Sequence, residues 1–246
     1  GTEAGQYVGF SNKSTGNDNI FIGHHTGRHI TYASQNTVVG HNAYGRLGGS
    51  GQHEISGSNI TAFGYAAGQY TTGSSNTFVG SEAGKGGTTS APFSSGKHNT
   101  ALGASAIAGL TTGGYNTTLG KDAGKAITSA NYNTFVGAWC GDAVTDEGYN
   151  TAMGFQAFSA GGGSSHTVAL GYQAGMSITN GDKNTIIGAN AGDTITSGER
   201  NIIIGASADV NATATSNTIV IGYNATPTNN GQTILGTSTQ KFTLIG

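Results

Sequence analysis

The chain has 246 residues, of which 44 are Gly, 35% are hydrophobic and only 9% are charged, a composition that excludes an ordinary globular enzyme with a dense core. Gly with the two Pro is too sparse for a collagen repeat and for a disordered low-complexity chain. A formal net charge of −2 with ten Lys plus Arg offers no cationic footprint for nucleic acid or an anionic membrane, and the lone Cys140 rules out an intrachain disulfide.

The chain opens GTEAGQYVGF, without a basic and apolar leader, and no stretch reaches the roughly 18 apolar residues of a membrane span, so it is expected to be a piece of a longer protein. Internal repeats then set the organisation. Landmark glycines at Gly23, Gly40, Gly64, Gly80 and Gly103 are separated by 17, 24, 16 and 23 residues, which predicts insertions at 46–57 and 85–97. From Gly103 the glycine recurs at Gly120, Gly137, Gly154, Gly171, Gly188, Gly205 and Gly222, seven consecutive intervals of 17. A shorter interval leads to Gly236, so residues 1–103 are read as coils with inserted loops, 104–236 as regular coils and 237–246 as a terminal segment.

One unit reads NTTLGKDAGKAITSANY from Asn116. Thr, Ile and Val before the glycine favour a strand, a small A-G turn follows, and a second short segment such as AIT predicts a second strand. Several glycines in a 17-residue unit leave no room for a helix. The fold class is therefore all-β: a parallel β-solenoid of about 17-residue coils, stacked about 4.8 Å apart so that equivalent residues form columns.

Strand alternation assigns the columns to faces. The residues just before the glycine, from Ile22 and Val39 to Leu170 and Ile187, are expected inside the coil, together with Thr100, Thr117 and Thr134 two residues earlier. Small residues three after the glycine, among them Ala123, Cys140 and Ala157, complete that interior, with Cys140 acting as a buried alanine substitute. The middle column, which includes Phe21, Val38, Phe78, Phe135, Ile186, Ile203 and Val220, is expected to point outward. It carries no charge, and a thin coil buries little by itself, so this column predicts the interface of a homotrimer.

SHTVALG at 165–171 and SNTIVIG at 216–222 resemble the N-S-V-A-I-G repeat of trimeric autotransporter adhesin heads, which are left-handed parallel β-rolls. NTFVGSEAG from Asn76 and NTIIGANAG from Asn184 more closely resemble repeats of phage tail fibres and related bacterial fibre proteins. The closing QTILGTSTQKFTLIG is similar to the segment preceding a self-cleaving intramolecular trimerisation chaperone. The resemblance implies a trimeric fibre or adhesin domain, extracellular on a virion or bacterial surface, that binds a cell-surface glycan or outer-membrane receptor. The alternatives are a purely structural shaft and a polysaccharide-degrading spike.

Candidate chemistry lies on the turns. A column His98, Tyr115, Tyr132, Tyr149, His166, Lys183 and Arg200 precedes the Asn of each unit, and Phe155 and Tyr172 share the column after the glycine, with Trp139 nearby. Aromatic faces with interleaved donors suit sugar rings, which makes Tyr132, Tyr149, Phe155, Tyr172 and Trp139 the candidate glycan contacts; a stabilising ladder of turn aromatics is the competing reading. Asp182 and Glu199, one repeat apart, fall near the carboxylate spacing of a retaining glycosidase, but they sit on an exposed turn beside Lys183 and Arg200 and read as a solvated charge ladder, as do Asp146 and Glu147. No catalytic residue, cofactor or metal is therefore assigned. His24, His25, His29 and His41 could bind a metal, yet His24 and His41 fall in the exposed post-glycine column. The file Thr31, Thr111, Thr128, Thr145, Thr179 and Thr196 raises an ice-binding reading, discounted because the other Thr column is expected to point inward.

Overall fold

The computed structural model describes residues 16–28, 30, 32–45, 56–87 and 93–237. Each coil contributes one three-residue strand. Among the described residues thirteen such strands run from β1 (Ile20–Ile22) through β6 (Thr117–Leu119) and β7 (Thr134–Val136) to β13 (Thr233–Leu235). They form one parallel sheet in chain order, each strand hydrogen-bonded to the one before and the one after. On β6 and β7, Thr117 pairs with Thr134, Thr118 with Phe135 and Leu119 with Val136, which makes equivalent residues of successive repeats lateral neighbours. The described residues contain no helix, and the chain is an all-β parallel β-solenoid with a coil of about 17 residues. Residues 46–55 of the first predicted insertion, residues 88–92 of the second and the terminal segment from 238 lie outside the described residues.

Among the described residues the second strand expected in each coil does not form, and an isolated parallel bridge between Thr71 and Ser94 lies outside the thirteen strands. Instead the carbonyl oxygen of Thr128 accepts the N–H groups of Thr111, Thr112 and Gly113 at 2.9, 3.0 and 3.0 Å, and the Thr111 hydroxyl at 2.8 Å. Thr145 receives Thr128, Ser129 and Ala130 in the same way at 2.9, 3.2 and 3.2 Å. A parallel ladder spaces its bonds evenly along both strands. Three successive donors converging on one oxygen make a corner.

The strand also faces the opposite way from the expectation. Its middle residue points into the coil: Val38, Phe78, Phe135, Ile186, Ile203 and Val220 are fully buried, and Phe21, at the first strand, packs partly buried on the same core. These residues, expected between chains, fill the interior of one chain. The pre-glycine residues Ile22, Leu102, Leu119 and Met153 are exposed instead, as are Thr100, Thr117 and Thr151. Alternation fixes which residues share a side but not which side is inner, and the small lumen takes the middle residue together with others of its coil. At the Gly120 coil these are Thr118, Ala123, Ile127 and Ala130, all buried. The interior Ala column is where it was expected, with Cys140 in it. Burial pushes the Cys140 thiol up to about 12, so it is a packing residue and no nucleophile.

Asparagine, four residues before the glycine, shares the side of the middle residue and is buried as well. Asn116 donates its backbone N–H and its Nδ2 to Asn99 Oδ1, both at 3.0 Å, and its Nδ2 also to the Ala130 carbonyl at 2.8 Å. Asn133 repeats the pattern on Asn116, and Asn150 donates its N–H to Asn133 Oδ1 at 3.0 Å. A file of side-chain amides thus satisfies the polar groups at the strand entrance, where unpaired burial would cost about 1–3 kcal/mol per group.

The landmark glycine closes the strand. Gly120 has φ +136, and a β-carbon on it would lie 2.5 Å from the carbonyl oxygen of Gly137 in the next coil. Both the conformation and the close approach of successive coils require glycine there.

Candidate binding and assembly surfaces

The turn before each Asn places its side chain outward because the backbone is left-handed there, with φ of 59, 60 and 64° at Tyr115, Tyr132 and Tyr149. Five rings then stack without interruption. His98 and Tyr115 have centroids 4.8 Å apart, Tyr115 and Tyr132 5.1 Å, Tyr132 and Tyr149 5.2 Å, and Tyr149 and His166 4.9 Å, with interplanar angles of 12–18°. The coil spacing is close to the offset-stacking distance, so the fold itself brings the rings into contact. Tyr115, Tyr132 and Tyr149 are half exposed, which leaves ring edges and hydroxyls to solvent.

The post-glycine turn carries a second aromatic group. Phe155 and Tyr172 stack at 5.6 Å and 7°, and Trp139 meets Phe155 edge-on at 5.3 Å. Lys121 Nζ lies 4.6 Å above the Trp139 ring, a cation–π contact, and also 3.2 Å from Asp122 Oδ2. Gln173 donates to Gln156 Oε1 at 2.8 Å, a polar ladder alongside the rings. The five sequence-selected aromatics therefore sort into two groups, Tyr132 with Tyr149 and Trp139 with Phe155 and Tyr172, on the turns that enter and leave the same strands.

The acidic residues are already engaged. Asp182 accepts the Ser165 N–H at 2.7 Å, and Glu199 pairs with Arg200 at 3.1 Å. Asp146 accepts the hydroxyls of Ser129 at 2.6 Å and Thr128 at 2.7 Å, bonds that hold its carboxyl below the usual range. Glu147 accepts its own turn's N–H groups from Thr145 and Asp146, both at 3.0 Å. These carboxylates brace turns.

Of the threonine file, Thr111, Thr179 and Thr196 spend their hydroxyls on the carbonyl of the next coil at 2.8–3.4 Å, Thr128 gives its hydroxyl to Asp146 at 2.7 Å, and Thr31 lies outside the described residues. The strand threonines expected inside are the ones that face out. Together with the pre-glycine aliphatics they give the sheet an outer face of two columns, uncharged from Ile20 and Ile22 to Thr233 and Leu235. Ile22 is 56% exposed, Leu102 46% and Met153 51%. Sequence reasoning expected these two columns inside the coil and the middle column outside, the reverse of what the structure shows.

Comparison with protein-family models, with curated proteins and with solved structures returns no match.

Proposed function

We propose that the chain is a segment of a trimeric fibre or adhesin, a left-handed β-roll at a virion or cell surface that binds a glycan or other receptor on a target cell. The observation that carries this reading is the uncharged outer face of the 13-stranded sheet. An uncharged face that sets a column of aliphatic residues beside a column rich in threonine along the whole sheet suits an interaction surface, and a repeating rod is covered along its length most economically by copies of itself. The aromatic turns border that face on both sides, where they would line grooves between chains. Two stacked aromatic groups with flanking amide and hydroxyl donors suit sugar recognition, and copies on three chains would add avidity to weak single sites.

The test uses Leu102→Asp, Leu119→Asp and Met153→Asp together. Light scattering is expected to give a trimer for the parent chain and a folded monomer for the variant. A trimer that persists in the variant, or a parent chain that is monomeric, refutes the assembly. A glycan array on the parent then tests recognition.

The shaft reading is favoured by the continuity of the Tyr115–Tyr132–Tyr149 stack, whose spacing serves stability without any ligand. An empty array with an intact trimer supports it. The outward strand threonines also reopen the ice-binding reading, which a thermal-hysteresis measurement on the parent decides. The polysaccharide-degrading spike is the less favoured reading, because Asp182 accepts the Ser165 N–H and Glu199 pairs with Arg200 on exposed turns.

A further inference from the structure

The coils that begin at Gly23 and Gly40 carry a cluster of imidazoles. His24 and His41 follow the landmark glycines Gly23 and Gly40, so the repeat stacks them in one column, and the Asn42 N–H donates to the His24 carbonyl at 3.0 Å to hold the two turns in register. His25 is adjacent in sequence and would ordinarily point away from His24. Its left-handed backbone, φ 55°, brings the ring back to the same side. The His24 and His25 ring centroids are 3.7 Å apart, His24 and His41 5.1 Å, and His25 and His41 6.0 Å. One nitrogen from each of the three lies within 4.8 Å of the others. Tyr65, next in the column, packs edge-on against His41 at 5.6 Å and limits its rotation.

We infer that His24, His25 and His41 form a three-imidazole site for a divalent transition-metal ion of the zinc and nickel class. Zinc–nitrogen bonds of about 2.0–2.1 Å in a tetrahedron put ligand nitrogens about 3.4 Å apart, so closure requires ring movements on the order of an ångström. His24 and His41 are exposed, so movements of this size run into solvent and not into the core, within the limit that Tyr65 sets on His41. The ligand set contains neither carboxylate nor carbonyl, which disfavours calcium and magnesium and suits ions that prefer imidazole. Three protein ligands leave one position of a tetrahedron for water or an incoming donor. The sequence reading set the histidines aside as an exposed column; the left-handed residue that joins His25 to that column is visible only in the structure. His29 lies outside the described residues.

The experiment titrates the metal-stripped full chain with ZnCl2 and separately with NiCl2 by calorimetry, alongside His41→Ala, His24→Gln and the distant His166→Ala. Expected are one ion per chain, an affinity loss of about tenfold or more in the first two variants, and parent-like binding in the third. Circular dichroism checks that the variants remain folded. Absence of binding to the parent, an unchanged affinity in His41→Ala and His24→Gln, an equal loss in His166→Ala, or one ion per three chains would each overturn the site.

Discussion

The ring of Phe135 occupies the space that a β-carbon on Gly141 would need: that carbon would lie 2.6 Å from Phe135 Cε2 and 2.7 Å from Cζ. One coil later the sizes are exchanged, with Ala152 in the strand and Phe158 in the turn, both buried and Phe158 held at φ 53°. Phe78 with Gly84 and Ala101 with Ile107 follow the same rule. Gly141→Ala is expected to destabilise by about 2–4 kcal/mol through overpacking and a left-handed backbone, φ +58. Phe135→Ala should cost about 3–5 kcal/mol through its cavity. The exchanged pair Phe135→Ala with Gly141→Phe should recover a large part of that loss, read as a favourable coupling energy in a double-mutant cycle by urea unfolding. Purely additive losses would contradict the compensation.

Thr118 is the one polar residue in the buried middle column of the strands, and its hydroxyl has no hydrogen-bond partner among the described residues. Thr118→Val keeps the shape and removes an unsatisfied group, so stability should rise by about 1 kcal/mol or more. A lower melting temperature would show that the hydroxyl is satisfied in solution.

Asn133 accepts the Asn150 N–H at 3.0 Å and donates to Asn116 Oδ1 and the Glu147 carbonyl at 3.1 and 3.0 Å. Asn133→Ala strands groups on three sides of a buried site and is expected to cost about 2–4 kcal/mol. Hydrogen exchange should be fastest at the Asn150 amide, the donor that loses its acceptor. Unchanged exchange there would mean that the amide file is not continuous.

Asp209 holds its proton to about pH 6, raised from 3.8 by burial first and by the neighbouring Asp193, against the Thr194 contact that lowers it. The folded chain therefore binds more protons than the unfolded chain between about pH 4 and 6, so this group's contribution is present at the acid end and lost as pH rises through 6. Asp209→Asn should flatten that part of the stability–pH curve. An equally steep fall in the variant would assign the slope to other groups.

On the proposed function, Tyr149→Ala with Tyr172→Ala is expected to abolish glycan binding on the array and leave the mass of the assembly by light scattering unchanged. If the mass falls instead, the aromatic turns belong to the contact between chains. Loss of glycan binding with Asp182→Asn and Glu199→Gln, and not with the tyrosine pair, would overturn the aromatic site in favour of the acidic turn.

The coil length, its parallel stacking and the outward aromatic turns were legible because a 17-residue period turns sequence positions directly into columns. The inside of the strand was not, since Ile22, Phe21 and Ile20 are all apolar and alternation alone is symmetric between the two faces. A discriminating signal did exist in the reciprocal sizes of Phe135 and Gly141 against Ala152 and Phe158, because only residues sharing a closed space need to trade volume. The buried Asn pointed the same way. The histidines were noticed in the sequence and set aside as an exposed column; their convergence was not legible, because the left-handed backbone of His25 does not show in the sequence.

Register between β6 and β7 is repeated without slip from β4 (Thr77–Val79) through β12 (Ile219–Ile221), whatever the spacing of the strands in sequence. Reach is consequently quantised. Duplicating or deleting a whole unit such as 116–132 changes the length of the rod by about 4.8 Å and leaves every surviving column aligned. Length can therefore change in whole steps without redesigning any strand contact, and the repeats serve as the graduations of the rod.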